Sequence, residues 1–380
     1  MSNLAVGKKS GNSGAVDLLW KLAARREIAL AVVIALIFLG VSLRNHDFFS
    51  GPIVGGILVN CVQPAIIACG VMLVIVTGEI DISVGSSMGF LTAVMGILMS
   101  RQQYPQWAQW LSHGLKMPED GSPWPAAGIE PFSVWAAIVL TLALGALIGL
   151  VNGIFVTIVR VPSIIVTLGM LTVLKGFTIM MMKDGNITDL PDSFHKIGTG
   201  DVLGSHAEGI AAALHMMPES LHLMGRFSIW IAVAVVLLTF AMIKLTPIGR
   251  RIYAVGSNSH AAALAGVSEK WVKIFAFSFT GFLVAVAAVV TQVAVFDNGT
   301  GDGMELLVVT CVVVGGVSIS GGTGTVLGVM FGVVLLMMQK TVLIFLKLSE
   351  NASNWDKAIQ GALILGAVLV DHLASKRAKP

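Results

Sequence analysis

Ten stretches of the chain are apolar, at 28–43, 54–76, 84–100, 133–159, 162–182, 227–243, 274–295, 306–317, 325–345 and 358–370. Most approach the ~20 residues that a helix needs to cross a bilayer. The pattern predicts an all-α fold, a polytopic transmembrane helical bundle of about ten spans. The eighth run is the weak one: 306–317 is too short to cross, and residues before Leu306 would have to extend it.

One break in this pattern stands out. Between the second and third runs lies TGEIDISVGS, at 77–86. Glu79, Asp81 and Ser83 there sit between two membrane-like segments. An ionised group at a helix centre costs roughly 2.5–3.5 kcal/mol on insertion scales. The cost falls where the backbone is interrupted and faces protein or water. The residues allow two readings: a short loop in water, or a broken helix that lines a polar path or packs against a mobile partner helix. A second break, VSISGGT at 317–323, shares its alternating Ile/Ser core followed by glycine. Broken spans in corresponding halves point to a transporter's binding region, so Ser318 and Ser320 join the path candidates. Asn60, Gln63 and Asn152 are amides inside apolar runs. They could meet a solute or hydrogen-bond between helices.

Composition supports the membrane assignment. Charged residues make up 12% of the chain against 56% hydrophobic, where a soluble domain carries about 25% charge. The net charge of +3 gives no case for nucleic acid as a partner. Three parts follow: a cytoplasmic disordered tail at 1–27, a membrane domain at 28–372, and a cytoplasmic tail at 373–380. The tail carries no cleavage motif, so the first span reads as a signal anchor. Polar loops at 101–131 and 183–226 fall outside, the first with Trp107, Trp110 and Trp124 as an interfacial belt. Asp297, Asp302 and Glu305 are placed near an outer turn, in solvent or against a soluble partner. Fourteen of the 24 Lys and Arg residues fall on segments assigned to the inner side, which places both termini in the cytoplasm.

The loop at 244–273 is cytoplasmic on this topology. Its Ala-rich part at 259–264 is helix-prone. Ser257, Asn258 or Ser259 can cap it, and Gly266 can end it. A helix this short is marginal alone in water, so it needs a partner or the membrane surface. No stretch resembles an active site. There is no GxxxxGK[ST] phosphate loop and no GxSxG or HExxH. His195, His206, His215 and His222 are too widely spaced for a compact metal site. Cys61, Cys69 and Cys311 lie in apolar runs and read as small buried hydrophobes.

The motifs together resemble the permease subunits of bacterial ATP-binding-cassette importers of the ribose/xylose/galactose type, relatives of the branched-chain amino acid permeases. The likeness rests on TGEIDISVGS at 77–86, TPIGRRIYAVG at 246–256 with Asn258, Ala262, Ala263 and Gly266, and GGVSISGGTGTVLG at 315–328. VPSIIVTLGM at 161–170 adds to it. The long outer loops and MELLV at 304–308 depart from the family pattern and leave the solute open. The resemblance implies a bacterial inner-membrane, non-enzymatic subunit that moves a monosaccharide or polyol delivered by a periplasmic binding protein. It implies two ATPase subunits that hold ATP and Mg²⁺, with no cofactor on this chain, and a second permease copy, the same or a sister. The motif with Arg250, Arg251, Gly256, Asn258, Ala262, Ala263 and Gly266 would couple to the ATPase. Two rivals remain: an ion-coupled secondary transporter using Glu79 and Asp81, and a permease for branched-chain amino acids.

Overall fold

The structure is a computed structural model that describes residues 26–101, 103–104, 131–182, 186–187, 189–202, 222–290, 296–297, 299–346, 355, 357–366 and 369. The expectations for 1–25, for the Trp residues of the first long loop, for His206 and His215, and for the C-terminal tail lie outside these residues. Each of the ten apolar runs contains a helix. Helix α1 spans Arg26–Arg44, α2 Gly51–Val76, α3 Val84–Met99, α4 Val134–Ile154, α5 Ser163–Met181, α6 Asp192–Thr199 and α7 Phe227–Leu245. Then come α8 Pro247–Ser257, α9 Ser259–Leu264, α10 Glu269–Val289, α11 Met304–Val314 and α12 Val326–Phe345. Helix α13 covers Lys357–Gly366. Among the described residues, seven helices are long and apolar enough to cross a membrane, and α3, α11 and α13 are shorter apolar helices.

Helix α2 is the axis of the bundle. It is apolar all round, as a helix enclosed by others must be, and its sequence from Ala65 to Val76 is buried without interruption. Helices α7, α10, α11 and α12 surround it. Helix α1, by contrast, is mostly exposed, with Leu36, Leu39 and Leu43 pointing away from the protein. In lipid such a face is satisfied by acyl chains. Helices α4 and α10 approach most closely. Gly145, Gly149 and Gly153 recur every fourth residue on α4 and rest on the backbone of Gly281, Phe277 and Ile274 of α10. Small residues at this spacing let membrane helices gain van der Waals contact that larger side chains would prevent.

Helix α4 continues into a π-turn at Phe155–Val159 and stops at Arg160, whose left-handed backbone (φ 65°) reverses the chain. Pro162 precedes α5 and fixes the start of the next helix. The ends of α2, α4 and α11 and the starts of α5 and α10 therefore gather with α8 and α9 at one end of the bundle, here termed the junction end.

Helix α11 is shorter than its apolar run suggests, at 11 residues. The missing length is supplied by irregular backbone. Phe296 packs on Gly96, the Thr300 carbonyl approaches Gly89, and the Gly301 carbonyl and Glu305 carboxylate approach Gly85, all on α3. From Gly96 to Gly85 is about 16 Å along a helix. The turn with Asp302 and Glu305 thus packs along α3, with Glu305 half-buried and Asp302 exposed.

Candidate functional site

Within the break between α2 and α3, Thr77, Asp81 and Ser83 are buried, Glu79, Ile80 and Ile82 are half-buried, and Gly78 is exposed. Helix α2 ends at Thr77, whose hydroxyl donates to the Val74 carbonyl at 2.7 Å, and Gly78 follows with φ +84°. The Ile80 N–H donates to the Ser163 hydroxyl at 3.2 Å, and the Thr167 hydroxyl lies 3.4 Å from the Ile80 carbonyl. The first turn of α5 thus receives backbone groups that the broken helix leaves open.

Asp81, Ser83 and Asn152 come together. Asp81 is 3% exposed. Its Oδ1 accepts from the Ser83 N–H at 2.9 Å and the Ser83 hydroxyl at 2.6 Å. This local turn holds the first residues of α3 in place. Asn152 of α4 donates through Nδ2 to Ser83 Oγ at 3.0 Å. Its Oδ1 is buried with no hydrogen-bond partner among the described residues. Burial pushes the Asp81 carboxyl above its ordinary range, against the opposing effect of the Ser83 hydrogen bonds.

Glu79 turns the other way. Lys273 Nζ, on the first turns of α10, donates to Glu79 Oε1 and to Glu269 Oε1, each at 2.6 Å. Both partners of the Lys273–Glu79 pair are largely enclosed, at 14% and 17% side-chain exposure respectively, so solvent screens the pair weakly. Glu79 and Asp81 therefore face different partners and do not form a shared ion site.

The second break meets the first. The Gly322 N–H donates to the Val76 carbonyl at 2.8 Å, so the turn at 315–324 caps the last turn of α2. Helix α8 lies against both. Its Tyr253 hydroxyl donates to the Gly324 carbonyl at 2.6 Å, and the Ser257 hydroxyl lies 3.4 Å from the Gly322 carbonyl. Gly256 sits directly on the Val76 carbonyl and the Gly322 nitrogen. Burial raises the Tyr253 phenol above its ordinary value. The three sequence motifs, far apart in the chain, form one contact.

The expected helix in the 244–273 loop is two helices. Pro247 starts α8, and its buried side repeats every third residue at Gly249, Ile252 and Val255. Asn258 then caps α9: its Oδ1 accepts from the Ala261 N–H at 2.9 Å. Gly266 ends it with φ +79°, and the Val267 N–H returns to the Ala262 carbonyl at 2.9 Å. Only six residues are helical in α9. Ala262 is buried while Arg250, Arg251, Ala263 and Gly266 are exposed. Leu264 is 81% exposed.

The remaining candidates are dispersed. Asn60 is exposed on α2, and Gln63 is half-buried. Ser318 is half-buried and Ser320 exposed, both in the turn beside α8 rather than with Asn152. Sequence reasoning missed Lys273, Tyr253, Ser163 and Thr167 as partners. The Glu269–Lys273 spacing of four was visible as a helical pair, but nothing local indicated Glu79. Lys175, inside the fifth apolar run, was also missed; its charge within a span was the available signal.

Residues 53–368 match the family described as branched-chain amino acid transport system / permease component. The chain belongs to this family. It is similar to the ribose import permease protein of Haemophilus influenzae, at 32% identity over 93% of this chain and 94% of that one. It is also similar to the autoinducer 2 import system permease protein of Photorhabdus laumondii, at 29% identity over 91% and 89%. The corresponding protein of Yersinia pseudotuberculosis is 30% identical over 90% and 83%. No solved structure matches the chain. As a member of the permease family the chain is a transport subunit of an ATP-binding-cassette importer in the bacterial inner membrane, and not an enzyme. The likeness found in the three motifs is thereby borne out, and the family description alone does not favour a branched-chain amino acid over a sugar.

Proposed function

We propose that this permease carries a neutral polyhydroxylated solute of the monosaccharide class, and that α8–α9 transmit movement from ATPase subunits to the two breaks. The observation that carries the coupling role is the contact of Gly256 with Val76 and Gly322. Any displacement of α8 acts at once on the end of α2 and on the turn between α11 and α12. The exposed Arg250, Arg251, Ala263 and Leu264 offer the outward surface to the ATPase. The solute class is supported by the ribose and autoinducer 2 import named for the relatives. Ribose is an uncharged polyol, which suits hydroxyl and amide groups such as Ser83 and Asn152.

On this reading the junction end faces the cytoplasm, the ten apolar helices all enter the membrane, and both termini are cytoplasmic. A second permease copy completes the path, a binding protein delivers solute outside, and ATP and Mg²⁺ reside on the ATPase. ATP binding favours one orientation of α8–α9 and hydrolysis the other. The solute path opens alternately because the two states differ in their contacts, as a population shift requires.

The test is recovery of the tagged chain from native membranes in mild detergent, followed by mass spectrometry and uptake assays. Co-purification of an ATP-binding-cassette subunit is expected. Replacement of Arg251, Asn258 or Gly266 by Ala should lower uptake while the protein stays in the membrane. Wild-type uptake in all three variants would remove the coupling assignment.

A further inference from the structure

Helix α11 makes half a crossing. Its 11 residues span about 16 Å against the ~30 Å of a hydrocarbon core. Ahead of it, the irregular backbone at 296–297 and 299–303 lies along α3 from Gly96 to Gly85. Irregular backbone at membrane depth persists only where it is buried in protein or lines a water-filled cavity. One side of this segment is pressed on α3. The other side is open: Gly299, Asp302 and Gly303 are exposed.

Asp302 is paired there. Lys175 Nζ lies 2.5 Å from its Oδ1, and the two side chains are 30% and 58% exposed respectively. Lys175 stands twelve positions beyond Ser163 on α5 and six before Met181, about 18 Å and 9 Å from the two ends. A carboxylate this exposed at that depth is not tolerated against hydrocarbon, and charges within spans mark solute or ion pathways. The pair has no net charge. An ammonium donates to a hydroxyl oxygen and a carboxylate accepts from a hydroxyl hydrogen, so a polyol could engage both at once. An ionic solute would be repelled by one member.

We propose that Lys175 and Asp302 form a solute-contacting pair within the translocation path, holding adjacent hydroxyl groups of a sugar as it passes. This rests on the import reading above and adds the site. No reading of the sequence assigned either residue a role in the path.

The test uses the whole transporter in membranes. Lys175→Cys and Asp302→Cys are treated with a charged, membrane-impermeant methanethiosulfonate, with Leu238→Cys, exposed on the outside of α7, as control. Both path variants should react faster than the control, and D-ribose should slow them. Separately, Lys175→Met and Asp302→Asn should each raise KM for D-ribose about tenfold, the loss of a hydrogen bond to a charged group. Unreactive cysteines, or an unchanged KM in both single variants at equal membrane level, would overturn the proposal. If the wild-type transporter moves no D-ribose, the solute class falls, whereas thiol reactivity still decides whether the pair faces the aqueous path.

Discussion

Gly256 rests on the carbonyl oxygen of Val76 so closely that an added methyl carbon would stand 1.7 Å from it. The same methyl would stand 2.7 Å from the Gly322 nitrogen, which already donates to that carbonyl. Both neighbours are backbone, so neither can rotate away. Gly256→Ala should therefore displace α8 from the end of α2, at a cost on the order of 1–3 kcal/mol for forced overpacking. The expected result is a protein still present in the membrane with uptake reduced at least severalfold. Uptake and membrane level measured together check this, and unchanged uptake would refute the tight seat of α8.

Lys273 pairs with both Glu79 and Glu269. Lys273→Met leaves Glu79 enclosed and unpaired, which should destabilise the protein by about 2 kcal/mol, below the figure for a fully buried pair. Adding Glu79→Gln should recover much of that loss, because the uncompensated charge goes with it. Thermal unfolding in detergent of the two single variants and the double variant measures the coupling. Additive losses would show that the two groups do not interact.

Asn258 acts on a short helix, so its effect should be local. Asn258→Ala removes the acceptor for the Ala261 N–H, worth about 1 kcal/mol at a helix start. Faster hydrogen exchange at 259–264 is expected, with the bundle's unfolding temperature unchanged. Unaltered exchange there would mean that packing of Ala262, and not the cap, holds α9.

Burial raises the folded-state Asp81 carboxyl above its ordinary value. A raised value means that the folded state binds its proton more tightly than the unfolded chain. The associated stability is present in full below that ordinary value and is lost as pH rises through the folded one. Asp81→Asn keeps an oxygen that can accept from Ser83 and removes the ionisation. The variant should lose this part of the decline in stability with rising pH, read as unfolding temperature against pH in detergent. Parallel profiles for variant and wild type would contradict the assignment.

Much of the junction was readable locally. The cap at Asn258 and the stop at Gly266 follow from residue type, since a short carboxamide accepts from a helix start and glycine takes the left-handed backbone without strain. The break at 77–83 followed from polar residues between two apolar runs. The division of the 244–273 loop into two helices did not, because α8 gains its stability from burying Ile252 and Val255 against other elements.

Apolar run length and small-residue content, which depend only on neighbouring residues, sufficed to place this chain among helical membrane bundles, and its three motifs sufficed for the permease family. Tertiary structure alone decided the partners. Glu79 and Lys273 are 194 positions apart, Gly322 reaches Val76 across most of the chain, and Lys175 meets Asp302 across 127 positions. Such pairings are set by how whole helices pack, through backbone approach at glycines and the need to pair charge away from water. The same helix packing set Phe296, Thr300 and Gly301 against the glycines of α3.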